Sequence, residues 1–289
     1  MKNEVAAESD PQQLSVEAIL KSIVIPSCPA VLNELRSEIA REDPSQDKVA
    51  RLVGTDVALS VAVLRLVNSP FYALRSKVDS INKAVSMIGS QRMAMLVTNI
   101  LMRQTMQFKG LNLVRFWDVS TKRSIAMSLL ARYLKGVDVD TAQAFGLFCD
   151  IGIPLLMQRF PSYLESLSLA NAATVLPFTS IESERHGVDH AQMGSMMART
   201  WGLNDTICVA IRRHHDYAVF PDASVAEPVK RLIAMCLVAE LGIQRFARLN
   251  ESNEWNKGGD FAASTLMLSD YDLDDWIEMM AEAFGQETA

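Results

Sequence analysis

Apolar residues recur at helical spacing along most of this chain, and polar residues that can cap a helix precede many of the apolar segments. A capping side chain accepts a hydrogen bond from a backbone N–H group in the first turn. Five residues occupy such predicted N-cap positions: Ser15, Ser45, Asp56, Ser80 and Asp189. The alternation of apolar and polar residues that is typical of strands is almost absent. The pattern therefore predicts an all-α fold with strand content near zero.

One apolar segment breaks the rules for a continuous helix. Thr141–Phe160 has helical character, but it contains Gly146, Gly152 and Pro154. Inside a helix, glycine costs about 1 kcal/mol and proline about 3 kcal/mol relative to alanine. We expect the helix to break between Asp150 and Pro154. A simple kink and a functional site are both consistent with such a break.

Composition excludes several classes of protein. The chain has 289 residues, of which 49% are apolar and 21% are charged, and this is typical of a folded globular protein. A net charge of −6 argues against a surface that coats nucleic acid. The four cysteines, Cys28, Cys149, Cys208 and Cys236, form no CxxC pair, and no apolar segment reaches the roughly 20 residues that span a membrane. We therefore expect a cytoplasmic protein with reduced thiols and without a signal peptide.

The predicted helices are short before residues 108–112 (FKGLN) and longer after them, so we place the boundary between two helical lobes there. Residues 1–14 are predicted to be a flexible tail, 15–110 an N-terminal lobe, 111–249 a C-terminal lobe, and 250–289 a loop followed by a last helix. The polar, glycine-containing segment Asn250–Asp260 is the predicted loop.

Several short motifs occur in an order that resembles a known family. Pro26 and Pro29 precede a helix, Asp56–Leu59 begins another, and Asn68–Tyr72 and Ala84–Gly89 follow. Together with the later segment ERHGVDHAQMGSMMARTWGLNDTICVAIRRHHD, they resemble the HDOD domain, an output module of bacterial signalling proteins. The resemblance extends from about residue 25 to 243. It implies two packed helical lobes, of which the C-terminal one is similar to the HD phosphohydrolases.

The resemblance also implies where a metal site would lie, because HD phosphohydrolases bind metal ions through histidine and aspartate side chains from several helices. The first histidine of the enzyme motif falls near Val119. The His-Asp pair becomes Cys149-Asp150, and the lysine three residues later becomes Ile153. The expected remnants of the site are Cys149, Asp150, His190, His214, His215 and Glu240, where Glu240 stands for the last aspartate. The GYP-type motif of cyclic dinucleotide phosphodiesterases is missing after His215.

Each of these residues also has an interpretation that involves no metal. Asp150 could satisfy backbone N–H groups at the helix break, and His190 could lie on the surface in the first turn of a helix. His214 and His215 are adjacent, so they point about 100° apart unless the helix ends there. Arg212 and Arg213 could bind an anion, although a solvated helix face is the simpler interpretation. We expect no catalytic metal, with Asp150, His190 and His215 as the candidates for a weakly bound ion.

Three functional hypotheses follow. The leading hypothesis is a non-catalytic regulatory module that binds a signalling protein in trans, with no cofactor, no membrane contact and no direct nucleic-acid contact. The second is a phosphohydrolase that acts on a nucleotide or cyclic dinucleotide with manganese, iron or zinc. The third is a nucleotide-sensing module that uses the same cleft without turnover. The sequence predicts neither the partner nor the oligomeric state.

Overall fold

The computed structural model describes residues 16–69, 74, 76–249 and 253–287, and within these ranges it is all-helical with no strand. The first six helices are α1 (Val16–Ser22), α2 (Ala30–Ile39), α3 (Gln46–Gly54), α4 (Val57–Val67), α5 (Ile81–Ile88) and α6 (Ser90–Thr105). The next five are α7 (Val114–Tyr133), α8 (Val139–Phe148), α9 (Gly152–Arg159), α10 (Tyr163–Ala172) and α11 (Phe178–His186). The last five are α12 (His190–Thr200), α13 (Asp205–Arg213), α14 (Glu227–Phe246), α15 (Asn253–Leu266) and α16 (Asp270–Glu287). The predicted fold class is confirmed.

Four of the predicted N-caps are present, and the fifth, Ser15, lies outside the described residues. Ser45, Asp56, Ser80 and Asp189 each accept a hydrogen bond from the backbone N–H group three residues later. Each bond satisfies one of the N–H groups that the first turn of a helix leaves without a partner. Helices α2 to α6 pack against one another and form the N-terminal lobe.

The C-terminal lobe is organised around α7, α8 and α14. Helices α7 and α8 have the most extensive mutual contact, and α14 packs against α7, α13, α15 and α16. Helix α12 lies against α9 and α13. This packing places the end of α8, the start of α12 and the end of α13 close together in the interior of the lobe.

The two lobes meet mainly where α6 packs against α8, and a single hydrophobic core runs through both. The indole N–H group of Trp201 donates to the backbone oxygen of Pro26 at 2.9 Å and so joins the lobes a second time. Met93, Met102 and Met106 are fully buried, and Met95 is partly buried against the core. The methionines of α6 therefore serve mainly to fill the core. The residue boundaries proposed for the lobes stay a prediction.

The predicted helix break is confirmed. Helix α8 ends at Phe148, and α9 begins at Gly152. A Cβ atom on Gly152 would lie 2.0 Å from the backbone oxygen of His190, so only glycine allows α9 to approach the start of α12. By length and composition the combined segment Val139–Arg159 could cross a membrane, but 67% of its most apolar stretch is buried inside the protein.

The predicted loop at Asn250–Asp260 is wrong, since α15 occupies Asn253–Leu266. A Cβ atom on Gly258 would lie 2.9 Å from side-chain atoms of Leu237 and Tyr217. The glycine that suggested a loop therefore lets α15 pack closely against α14, and this packing outweighs the low helix propensity. Residues 250–252, the predicted tail at 1–14 and residues 70–72 of the Asn68–Tyr72 motif lie outside the described residues. Helices α10 and α11 were not anticipated from the sequence.

Candidate functional site

Four side chains converge inside the C-terminal lobe and form what we call the HD cluster: Asp150, His190, His214 and His215. One potential ligand atom from each lies within 4.8 Å of the others. The three histidines are almost completely buried, and the side chain of Asp150 is 16% exposed. Asp150 lies in the break between α8 and α9, and His190 begins α12. The interpretation of His190 as a surface residue is therefore wrong.

The end of α13 explains how two adjacent histidines can face the same cluster. The helix ends at Arg213, and His214 is its C-cap, so His215 lies beyond the last helical turn. The two rings come within 4.1 Å of each other, measured between their centroids. The rings of His214 and His215 lie 5.1 and 5.0 Å from that of His190. The end of the helix removes the angular separation that a continuous helix would impose.

The Nδ1 atom of each histidine has a hydrogen-bond partner. The Nδ1 atom of His190 lies 2.7 Å from a carboxylate oxygen of Glu182, which also accepts from the His190 backbone N–H group. The Nδ1 atom of His214 lies 2.7 Å from the backbone oxygen of Ile211. The Nδ1 atom of His215 lies 2.8 Å from Glu254. Since a carbonyl or carboxylate oxygen requires a donor, each Nδ1 carries a proton and each Nε2 is left for the cluster.

The two carboxylates behind the histidines are themselves fixed in place. Glu182 is fully buried and accepts a hydrogen bond from the hydroxyl of Tyr163. Glu254 accepts from the hydroxyl of Tyr217 and from the ammonium group of Lys257, both at 2.5 Å. Such supporting contacts orient histidine ligands in metal proteins.

A buried arginine lies beside Asp150 and changes the character of the cluster. Arg123, on α7, is 3% exposed. One guanidinium nitrogen, Nη2, is 2.7 Å from Oδ2 of Asp150 and 3.0 Å from Oε1 of Glu240. The other, Nη1, is 3.0 Å from the sulfur of Cys149. Arg123 therefore provides a fixed positive charge between two carboxylates, on the oxygen of Asp150 that the histidines do not contact.

The charges in this part of the cluster depend on one another. Burial opposes ionisation of Asp150, but Arg123 and His214 hold the pKa of its carboxyl group well below the usual value. Burial raises the pKa of Glu240 despite the neighbouring Arg123. Burial, with a contribution from the Cys236 thiol, also raises the pKa of Cys149 well above its usual value. Asp150 is thus the anionic partner of Arg123, and Cys149 is a neutral thiol.

Two of the histidines differ in protonation. Burial would lower the pKa of His190, but Glu182 and Asp150 outweigh it and raise the pKa to about 9. Burial and the neighbouring His214 lower the pKa of His215 to about 4, although Glu254 acts in the other direction. Burial opposes ionisation of Glu254, but contacts with His215 and Lys257 lower its pKa to about 2. Near neutral pH, His190 is therefore a cation beside Asp150, and His215 is neutral.

The ligand types in the HD cluster fit a divalent transition metal, but the neighbouring positive charge conflicts with it. Three imidazole Nε2 atoms and one carboxylate are the ligand types that zinc, iron and manganese accept. The Nε2 atom of His190 is 3.5 Å, and that of His214 3.3 Å, from Oδ1 of Asp150. On the other oxygen of Asp150 lies the guanidinium group of Arg123, which would repel an incoming cation.

The remaining predicted residues lie at different distances from the cluster. Glu240 and Cys149 contact Arg123. Ile153 lies in the first turn of α9 and is partly buried against the core. Arg212 pairs with Asp189 at 3.4 Å, and Arg213 with Asp216 at 2.7 Å, both at the surface. The carboxylate of Asp150 contacts side chains, so within the described residues it has no role in capping backbone N–H groups.

Sequence reasoning missed Arg123, Glu182 and Glu254. It assigned the first ligand position of the motif to Val119, whereas Arg123, one helical turn later on α7, is the residue that contacts Asp150. A signal for Arg123 was present, because a buried face of α7 would place an arginine among Ser120, Ser124 and Met127. Glu254 lay in the segment predicted to be a loop, and Glu182 lay in a helix that was not recognised.

Comparisons with known proteins agree with this fold. A family model described as the HDOD domain matches residues 25–217. An HDOD domain protein of unknown function from Geobacter sulfurreducens is similar, with a TM-score of 0.68 and 21% identity over 93% of this chain and 95% of that one. A candidate phosphohydrolase from Shewanella amazonensis SB2B gives a TM-score of 0.70 and 24% identity, over 93% of this chain and 95% of its own. At these identities the structures show a shared fold alone.

A curated relative extends the comparison to sequence. An uncharacterized protein from Treponema pallidum (strain Nichols) is 24% identical over 222 residues, which is 76% of this chain. The chain spans 42% of the length of that relative.

Proposed function

The chain belongs to the HDOD domain family, and on that premise we propose that it is a non-catalytic, cytoplasmic signal-transduction module that acts by binding a protein partner. The observation that carries the proposal is the contact of Arg123 with both Asp150 and Glu240. Hydrolysis by a metal centre requires an ion with an open position for water. In this chain a side chain neutralises the carboxylates that would hold the ion.

The physical argument rests on charge. A buried guanidinium group cannot lose its proton near neutral pH, so its charge is permanent. An ion with two positive charges that approached Asp150 would experience repulsion of several kcal/mol at the effective dielectric constant of a protein interior. It would also compete with an established ion pair for the same carboxylate. Arg123 therefore balances the negative charge of Asp150, as a metal ion does in an enzyme. Unlike a metal ion, it cannot activate water.

Binding of a partner is supported by an exposed apolar pair on α4. Val57 and Val61 are 78% and 61% exposed, and they lie one turn apart on the face opposite the buried Leu59 and Val63. Contiguous exposed apolar patches mark protein contact sites, and this pair is the apolar part of α4 that a partner would cover. Membership of a family of signalling modules, and the fold shared with a candidate signal transduction protein from Marinobacter aquaeolei VT8 (TM-score 0.64, 17% identity, 96% of this chain and 62% of that one), point in the same direction.

Two measurements test the proposal. The purified protein should contain less than one equivalent of iron, manganese or zinc, and it should not hydrolyse nucleotides or cyclic dinucleotides with added manganese. Stoichiometric metal together with hydrolysis that is lost in Asp150→Ala would contradict the non-catalytic assignment. For the partner, crosslinking in the native host should recover a defined protein that is lost with Val57→Glu/Val61→Glu and retained with Val175→Glu/Leu176→Glu. The control pair is also exposed and lies between α10 and α11.

A second function, metal-dependent phosphohydrolysis, is favoured by one observation, the convergence of Asp150, His190, His214 and His215. These residues would hold the ion, which would supply a Lewis acid and a bound water of lowered pKa. The metal analysis and the hydrolysis assay decide between the two proposals, since the first requires both results to be negative and the second requires both to be positive.

A further inference from the structure

A large cavity lies between the two lobes, away from the HD cluster. It has a volume of about 620 Å³, which is within the range of small-molecule sites. Helices α2 and α6 form one wall, and the N-terminal ends of α8 and α13 form the other. Much of its lining is apolar, and the residues that matter here are Arg36, Ile39, Ala40, Thr98, Leu203 and Ile207. We call this space the seam cavity.

Arg36 is a half-buried cation in the wall of the seam cavity, and it lacks an anionic partner. Its Nη2 atom is buried and makes no hydrogen bond within the described ranges 16–69, 74, 76–249 and 253–287. Its Nη1 atom has a weak contact with the sulfur of Cys28 at 3.9 Å. No carboxylate of the described residues pairs with it, and burial lowers its pKa. A partly buried charge without an oxygen partner is costly, so a group that supplies oxygens there would be bound favourably.

The position of the guanidinium group is fixed by the backbone opposite. Gly202 has a φ of +63°, and a Cβ atom at this position would lie 2.5 Å from Nη1 of Arg36. Gly202 therefore provides both the left-handed turn after α12 and the space in which the guanidinium group lies. The hydrogen bond from Trp201 to Pro26 joins the same two segments of chain. Arg36 is thus held in place at the cavity wall.

The acidic residues of the cavity are already engaged. Asp138 accepts a hydrogen bond from the backbone N–H group of Thr141, and Asp140 pairs with Arg92 at 3.5 Å. Among the lining residues, Arg36 is therefore the cation that has no carboxylate partner within the described part of the chain. The apolar lining from Ile39, Leu203 and Ile207 favours a ligand with an apolar body.

We infer that the seam cavity binds a small organic anion, with its carboxylate or phosphate group on Arg36 and its apolar body between α6 and α13. Such a ligand contacts both lobes, so its binding would favour one arrangement of the lobes over others. The site is independent of the HD cluster, and the inference stands whether or not that cluster binds metal.

Calorimetric titration of the full chain at low ionic strength, with three named probes, tests the inference. Phenylphosphonate and benzoate carry an apolar ring, and inorganic phosphate does not. Phenylphosphonate has no ester bond, so hydrolysis cannot confuse the result. We expect at least one of the two aromatic probes to bind with one-to-one stoichiometry, and at least tenfold more tightly than inorganic phosphate. Whichever aromatic probe binds more tightly identifies the natural acidic group as phosphate-like or carboxylate-like.

Variants locate the site. Arg36→Gln should weaken binding of the preferred aromatic probe at least tenfold, whereas Arg51→Gln, which changes an exposed arginine of the same lobe, should leave it unchanged. Ala40→Phe places a ring at the exposed edge of the cavity and should also abolish binding, although it retains Arg36. The inference is overturned if neither aromatic probe binds. It is also overturned if both probes bind Arg36→Gln as tightly as the unaltered protein, which would place them at a different site. A third contrary result is that inorganic phosphate binds as tightly as the aromatic probes.

Discussion

Arg123 in the HD cluster and Arg36 in the seam cavity are both removed from bulk water to a large extent, but their surroundings differ. Arg123 donates to Asp150, Glu240 and Cys149, and burial does not prevent neighbouring anions from holding its pKa well above the usual value. Among the residues that the structure describes, Arg36 has only a distant thiol as partner, and burial lowers its pKa. The charge of Arg123 is neutralised by side chains of the protein itself. The charge of Arg36 remains available to a bound anion.

This difference indicates which part of the molecule has room and charge for a ligand. In the HD cluster the carboxylate of Asp150 and the three imidazoles have partners, so the arrangement is closed without any ligand. In the seam cavity there is space and an unmatched charge between two lobes. The part of the fold that resembles an enzyme centre is filled by contacts among its own side chains, and the ligand site that we propose lies between the lobes.

Replacement of Arg123 by methionine tests the HD cluster, where the charges already have partners. It should have the largest effect on the free energy of unfolding. The change removes the guanidinium group that pairs with Asp150 and Glu240, and removal of one partner from a buried ion pair typically costs about 3–5 kcal/mol. We expect the free energy of unfolding in urea to fall by about that amount. Arg115→Met, at an exposed position of the same helix, is the control and should change stability by less than about 0.5 kcal/mol. A loss below about 1 kcal/mol for Arg123→Met would mean that the ion pair is not the main link in the cluster.

Gly152→Ala tests whether the HD cluster is held by direct contact between backbones. The new methyl group would lie 2.0 Å from the backbone oxygen of His190 and 2.8 Å from the nitrogen of Gly194. Since neither backbone can rotate away as a side chain would, the two segments must separate, and we expect a loss of about 3 kcal/mol in the free energy of unfolding. Ala40→Phe adds a larger group at the edge of the seam cavity and should cost less than about 1 kcal/mol, because space is present there. Equal losses in the two variants would remove the contrast between a closed and an open region.

The same two regions show how far sequence alone could lead. The caps at Ser45 and Asp56 and the break before Gly152 follow from local rules, and they were predicted. The role of Arg123 was not, because an arginine in an apolar helix is ordinary until the helix register places it opposite Asp150. The helix at Asn253–Leu266 was missed because its glycines permit packing against α14, which is a tertiary effect. Local chemistry therefore predicts the helices, while the partners of buried charges depend on the packing between them.

Arg123→His converts the internal cation into a neutral ligand and tests whether the HD cluster is closed to metal because of charge. With the guanidinium group gone, Asp150 and the Nε2 atoms of His190 and His214 could bind zinc together with the new imidazole. We expect zinc to stabilise this variant by about 1.4 kcal/mol when its concentration is ten times the dissociation constant. Under the same conditions the unaltered protein should gain less than about 0.5 kcal/mol. Equal stabilisation of the two proteins would show that Arg123 does not exclude the ion.

Arg36→Met tests the open half of the comparison and should have the smallest effect on the ligand-free protein. The substitution is the same one that is proposed at Arg123, but here no described carboxylate loses its partner, because Arg36 contacts only the Cys28 thiol among the described residues. Methionine retains most of the apolar stem of the side chain, and it removes a charge that burial disfavours. We therefore expect a change of less than about 1 kcal/mol in the free energy of unfolding, with either sign. The unaltered protein should gain stability in the presence of an aromatic anion that binds the seam cavity, and Arg36→Met should not, so the two proteins should differ only when the anion is present. A loss of about 3 kcal/mol or more without any anion would show that Arg36 has a structural partner and that the two arginines do not differ as their contacts indicate.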